Sequence, residues 1–289
     1  MMIRLTLAGL AIVAAVCPAL GYTCGALGGD PRAMALGAAN TVIASGALGV
    51  WSNPAAAARL MAKEAAVAGT SLSSDRKVLL AALVLGGKRH GWFFGARWAG
   101  VSGVERYTSA GTADGSFGAG DVILAAGYAR ALTPLMFVGG RVKLLNSYLD
   151  EEQAWGAGMD VGFLYMPLPP LLKLGVAMED LGTFARWAGS DHTETTPATV
   201  RGGLAIGLVQ GKLSLNTELE QVLDGSPLAT LLGLQVKLGG GLVLRAGLLG
   251  GHATFGFGLD AGRVMVDVAM FEDALGVRPT TSIALSTKL

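Results

Sequence analysis

The feature that most limits what this chain can fold into is a period of two. In AWGAGMDVGFLYM, the residues Trp155, Ala157, Met159, Val161, Phe163 and Tyr165 alternate with Gly156, Gly158, Asp160 and Gly162. An extended strand puts the first set on one face and the second on the other. The preceding segment, FVGGRVKLLNSYL, sets Val138, Val142 and Leu144 against Arg141 and Lys143 in the same way. Earlier still, Trp92, Phe94, Ala96 and Trp98 alternate with Gly95 and Arg97. One face is bulky and apolar, and the other is small or charged. A soluble sandwich would turn the bulky face inward, whereas a membrane barrel turns it to lipid and places aromatic residues at the two interfaces.

Composition chooses between these. The chain is 52% hydrophobic and only 15% charged, with a mean hydropathy of +0.51, against about 25% charged residues in an average soluble domain. That is too apolar for an ordinary wetted surface. After Lys63, however, no uncharged apolar run is long enough to cross a bilayer as a helix. An all-β fold follows, a membrane β-barrel, and strand candidates laid down from Ala65 number about fourteen, an even count of antiparallel strands. Connections after odd-numbered strands are long or polar, as at Ser109 to Gly120, Asp150 to Glu152, Thr183 to Pro197, Asp224 to Pro227 and Glu272 to Pro279. Those after even-numbered strands are tight, as at Thr133-Pro134 and Asp260 to Gly262. Such alternation predicts long external loops, short periplasmic turns and both termini on the periplasmic side.

The N-terminal part reads differently. Arg4, the apolar run Leu5 to Val16, and the small residues Ala19 and Gly21 form a secretory leader over residues 1–21, with Tyr22 as the first mature residue. Its loss would leave 21 basic against 21 acidic residues, and so balanced a chain gives no basic stripe for a nucleic-acid partner. Cys17 leaves with the leader, and Cys24 remains as a lone thiol. From Ala33 to Ala58 the chain carries no charge, yet its apolar character comes mostly from Ala, and Gly37, Gly46, Gly49 and the Asn53-Pro54 pair interrupt it. This suits a compact plug better than a lipid-facing helix. The expected organisation is therefore a leader (1–21), an N-terminal plug segment (22–64) and a barrel (65–289).

Signals for chemistry are weak. His90, His192 and His252 lie apart, without metal-ligand spacing. Gly86-Gly87-Lys88 lacks a following Ser or Thr, and no glycine cluster has the spacing of a dinucleotide fingerprint. Glu218 and Glu220 share a strand face, the arrangement of an acid pair, but no nucleophile or base accompanies them. With Arg97, Arg141, Lys143, Arg201, Arg245 and Asp267 they are expected to face the lumen as ion pairs. No cofactor, metal or enzymatic activity is expected.

The segment ALGGDPRAMALGAANTVIASGALGVWSNPAAAARL resembles the N-terminal region of the PorV/PorQ family of outer-membrane proteins. In that family a Gly/Ala-rich stretch leads to an Asn-Pro-Ala motif, here Asn53, Pro54 and Ala55. The family is similar in architecture to FadL-type fatty-acid transporters, so the resemblance implies a fourteen-stranded barrel with an N-terminal hatch in the outer membrane of a Gram-negative-type bacterium. Some PorV-type members work with the type nine secretion system, which implies cargo proteins or secretion components as partners and a non-enzymatic role in export or surface attachment. The alternative implied by FadL-like architecture is a passive channel for hydrophobic small molecules. Outer-membrane lipid would be a partner in either case. One departure is the C-terminus, Ser286-Thr287-Lys288-Leu289, where many such barrels end in an aromatic residue.

Overall fold

A computed structural model describes residues 29–107, 111–189, 192–272 and 279–289. The leader expected over residues 1–21, both cysteines and the start of the plug segment lie outside these residues. Among the described residues the strands are β1 (Lys63–Ser71), β2 (Lys77–Gly86), β3 (His90–Tyr107), β4 (Ala113–Thr133), β5 (Met136–Leu149), β6 (Glu152–Leu168) and β7 (Leu172–Trp187). They continue with β8 (Thr193–Thr195), β9 (Thr199–Leu208), β10 (Leu213–Val222), β11 (Ala229–Lys237), β12 (Leu242–Leu249), β13 (His252–Asp260), β14 (Val264–Glu272) and β15 (Pro279–Lys288). Each pairs antiparallel with its neighbours, β15 pairs back onto β1, and β6 pairs with β7. The result is a closed barrel of fourteen strands, with β8 added to the end of β7.

The wall is uneven. Strands β3 to β7 are 14 to 21 residues long, whereas β1, β2 and β9 to β15 are 8 to 10. A spanning strand needs about 9 to 11 residues, so the tall wall projects beyond the short one. Much of the connection expected at Ser109 to Gly120 is therefore strand: β4 starts at Ala113, which pairs with Tyr107 of β3. Likewise β7 continues to Trp187 through the first part of the loop expected at Thr183 to Pro197. Hairpin pairing overrides the low strand preference of Gly, Ser and Asp in these stretches.

Outward-facing Val67, Leu79, Leu124, Val142, Leu144, Phe255 and Ile283 are exposed. They form the apolar band that alternation predicted. Trp92, Tyr128 and Tyr165 lie toward the end that carries the start of β1, the C-terminal end of β15 and the tight turns. Trp98, Tyr148 and Trp155 lie toward the opposite, loop end, where Trp98 Nε1 donates to Tyr148 Oη at 3.0 Å. Trp92 and Trp98 are six residues apart on β3, about 20 Å along a strand. These are the two aromatic girdles of a spanning barrel. Phe93 reverses the expected chemistry, because it points into the bore and is 1% exposed.

The bore is filled by residues 30–58, nearly all buried. The helix α1 (Pro31–Ala35) is followed by 3-10 turns at Ala47–Trp51 and Pro54–Arg59. Asp30 caps α1 by accepting from Arg32 N at 3.0 Å, and Pro31 supplies a first position that needs no donor. Leu48, Val50 and Ala57 pack on Ala66, Leu80, Val84 and Phe93, while Met34, Ala35 and Ala39 pack on Leu231, Ala269 and Phe271. No residue between 29 and 60 joins a strand ladder. The plug is held by side chains and close approach alone. A Cβ on Gly139 would lie 2.6 Å from Pro54 C, and one on Gly233 would lie 2.7 Å from Leu36 O, so wall glycines are where the plug backbone fits.

Candidate functional site: the plugged lumen

Inward-facing Asp267, Glu218 and Glu64 of the short wall are taken up by the plug. Asp267 on β14 receives Arg32 Nε at 2.6 Å and Arg245 Nη1 at 2.8 Å. Arg32 also donates through Nη1 to Ser45 O at 2.9 Å. Glu218 on β10 accepts from Thr41 twice, from N at 3.0 Å and Oγ1 at 2.6 Å, and Glu64 on β1 accepts from Ala47 N at 2.7 Å. Each carboxylate thus meets a plug donor. These groups are almost wholly buried, where a charge without its partner is costly.

Across the bore the charges form a cluster of the tall wall itself. Asp160 on β6 takes Arg141 Nε and, at 2.7 Å, Lys143 Nζ, both from β5. It also accepts from the backbone N of Asp180 at 2.7 Å. Lys143 reaches Asp180 in turn. Arg141 makes the link to the plug, donating through Nη1 to Val50 O at 2.8 Å, with its guanidinium 5.0 Å from the Trp51 ring centroid. Within the short wall Arg201 on β9 pairs with Glu220 on β10 at 2.5 Å, and it reaches Glu179 of the tall β7 at 3.6 Å.

Between Met159 and Val161 of β6, Leu181 and Met178 are the partners on β7, so Glu179 and Asp180 together face one residue. Asp180 has φ +59° and Gly182 φ +61°. Such a bulge lets two neighbours face the same side, which a regular strand forbids. Glu179 and Asp180 accordingly both line the lumen, and strict alternation could not have found the pair. Gly182, two residues beyond Asp180, is the signal in the sequence.

Above the plug, toward the loop end, lies a cavity of about 140 Å³. Asp30, Arg97, Arg141, Lys143, Glu179, Asp180 and Arg201 line it, interleaved with Ala33, Met34, Trp51, Leu80 and Ile123. Its floor is α1. Burial pushes the Asp30 carboxyl above the usual carboxylate range, with Arg32 opposing, and Asp30 Oδ2 has no hydrogen-bond partner among the described residues.

The structure places the eight charged residues named from the sequence in five settings along the bore. Arg245 and Asp267 belong to the plug lock, Glu218 to its Thr41 contact, Arg201 and Glu220 to a pair, Arg141 and Lys143 to the Asp160 cluster, and half-buried Arg97 to the cavity rim. Glu218 and Glu220 are thus engaged separately, one by a plug threonine and one by an arginine. Asn53, Pro54 and Ala55 sit at the bottom of the plug. Asn53 Oδ1 accepts from Ala55 N at 3.0 Å, and Nδ2 faces the carbonyl oxygens of Thr41 at 3.1 Å and of Phe163 and Val176 at 3.3 Å. One side chain caps the Pro54 turn and ties it to β6 and β7. Sequence reasoning missed Asp30, Arg32, Glu64, Asp160, Glu179 and Asp180 as site residues. Among the described residues no group of His, Cys, Asp or Glu could hold a metal ion.

A closed, fourteen-stranded barrel stoppered by its own N-terminal segment is a FadL-like fold. Among solved structures the chain is similar to the toluene transporter TodX of P. putida, with a TM-score of 0.63 at 15% identity over 89% of this chain and 97% of that one. A Pseudomonas aeruginosa FadL homologue aligns with a TM-score of 0.61 at 10% identity, covering 90% and 98%. A deltaS2S3 mutant of TodX, titled a monoaromatic hydrocarbon channel, gives 0.62 at 12% identity, covering 90% and 97%. No protein-family model and no curated protein sequence matches the chain. At such identities the likeness speaks for the fold, and the PorV/PorQ resemblance rests on the plug motif.

Proposed function

We propose that this protein is a non-enzymatic outer-membrane barrel of a Gram-negative-type bacterium, acting as a passive channel for hydrophobic small molecules. In this reading residues 1–21 are a cleaved leader, residues 22–64 the plug and the turn end faces the periplasm. The observation that carries it is a bore closed by a segment held only through side chains, beneath a cavity open to apolar and polar lining alike. A stopper outside the ladder can shift without breaking the wall. FadL-like solved structures titled as hydrocarbon channels support the same reading. The test is uptake of a bulky hydrophobic dye by vesicles containing the purified protein. Uptake above that of empty vesicles, and increased by plug removal, is expected. A barrel that inserts yet admits no dye in either form refutes a channel.

The export or surface-attachment role stands second, supported by the Asn53-Pro54-Ala55 motif at the base of the plug. Capture of secreted proteins sharing a C-terminal domain would favour it. The two readings thereby exchange the order in which the sequence placed them.

A further inference from the structure

The net charge of +1 conceals a strong polarity along the barrel axis. Carboxylates such as Asp114, Asp150, Glu151, Glu152, Glu194 and Asp224 lie at the loop end. The turn end is cationic. There, strand register sets Arg263, Lys288, Lys63, Lys88, Arg89 and Arg130 side by side along the arc from β14 through β15 and β1 to β4. Lys288 N donates to Arg263 O at 2.9 Å, Leu289 N donates to Lys63 O at 2.9 Å, and His90 pairs with Arg130. All six are exposed, and among the described residues none forms an ion pair. The nearby carboxylate Asp260 accepts from Gly262 N at 2.8 Å within its own turn.

This arc is shaped as well as charged. Arg89, His90, Tyr128 and Arg130 line a pocket of about 420 Å³. His90, Tyr128 and Arg130 belong to the outward rows of β3 and β4, and the Tyr128 ring lies 4.6 Å from Trp92. On the outer wall over β15 and β1 to β3, one outward row beyond Leu85 and Trp92, runs an apolar groove of about 480 Å³. Outward Ala65, Ala81 and Ala96 form its bed, between Val67, Leu83 and Phe94. Lys63 continues the outward row of Ala65 and Val67, so a cation stands at the mouth of the groove.

We infer that this arc is a binding site for a phospholipid with an anionic headgroup, in the leaflet that meets the turn end. Arg89, His90 and Arg130 would hold the phosphate, Tyr128 and Trp92 the interfacial glycerol region, and the alanine-floored groove one acyl chain. Cations close to a membrane surface attract anionic lipid, and aromatic side chains prefer this depth. A zwitterionic head would leave the unpaired positive charge uncompensated. The inference rests on the membrane-barrel reading, not on what the channel conducts.

The experiment is native mass spectrometry of the purified full chain released from nanodiscs of phosphatidylcholine mixed with phosphatidylglycerol. Retained phosphatidylglycerol in preference to phosphatidylcholine is expected, and Arg89→Ala with Arg130→Ala should lower that preference by about tenfold or more. Lys212→Ala with Lys237→Ala, on the far arc of the same rim, should leave it unchanged. Heat-modifiable migration of each variant reports the folded barrel, so failure of the barrel reading appears there and not as a changed lipid ratio. Equal retention of both lipids overturns the proposal. So does an equal loss in the far-arc variant, displacement by inorganic phosphate, or binding of a soluble polyglutamate probe in place of lipid.

Discussion

The tall and short halves of the wall use inward charge in different ways. On the short side Asp267, Glu218 and Glu64 each meet a donor of the plug, so charge there fastens a segment that is not part of the wall. On the tall side Arg141, Lys143, Asp160 and Asp180 satisfy one another across three strands and face a cavity, with Arg141 as the link to the plug. The first arrangement decides whether the bore is stopped, and the second shapes what waits above the stopper. Packing shows the same division, because α1 lies on β12 to β15 while the Pro54–Arg59 turn lies on β3 to β6.

The strongest way to break this comparison is to delete residues 29–60. The wall should still insert and migrate heat-modifiably, since no ladder is lost, and dye uptake should rise severalfold. Unchanged uptake would mean that the segment does not stop the bore. Next come Asp160→Ala and Asp267→Ala. Asp160→Ala leaves buried Arg141 without a carboxylate while Lys143 keeps Asp180, and Asp267→Ala leaves both Arg32 and Arg245 without theirs; each is expected to lose about 3 to 5 kcal/mol, read as a lower unfolding midpoint in detergent. Only Asp267→Ala should also raise dye uptake, because one of its stranded partners, Arg32, belongs to the plug. Equal uptake in both variants would erase the distinction between the halves.

Gly46→Leu should cost about 1 to 3 kcal/mol. Its φ is +71°, and a Cβ would meet Arg32 Nη1 at 2.5 Å and Glu64 Oε1 at 2.9 Å, within the plug lock itself. Reduced yield of heat-modifiable protein is the readout. Glu218→Gln should cost about 1 to 2 kcal/mol through weakened acceptance from Thr41, seen as a modest rise in uptake with the wall intact.

The smallest effect concerns pH. Burial raises the Asp30 carboxyl, opposed by Arg32, so the docked plug binds that proton more tightly than the undocked chain. Docking is favoured at acid pH and weakens as pH climbs above the ordinary carboxylate range. Asp30→Asn keeps an acceptor for Arg32 N and should flatten the dependence of uptake on pH. An unaltered profile would remove Asp30 from the control of docking.

Alternation made the wall legible. Arg141 and Lys143 against Val142 and Leu144 told lumen from lipid without any partner being known, because a strand face is a local property. The locks were not legible for the opposite reason. Arg32 and Asp267 are 235 positions apart, and nothing near either residue marks the other. Glu179 and Asp180 were hidden by a bulge that breaks the very rule used to read the strands. The height of the tall wall was hidden too, since the polar stretch before Gly120 has loop composition and becomes strand through pairing with β3.

The plug lock also dictates an order of assembly. The plug is the first of the described parts to leave the ribosome, yet its partners Glu218 and Asp267 belong to late strands, and the wall becomes a ring only when β15 meets β1. Loop-closure entropy makes such distant pairings late ones. The lock of the plug therefore forms late, with the strands that also close the ring. A nascent chain halted before β14 holds Arg32 without its carboxylate, so the lock cannot precede the last strands of the wall.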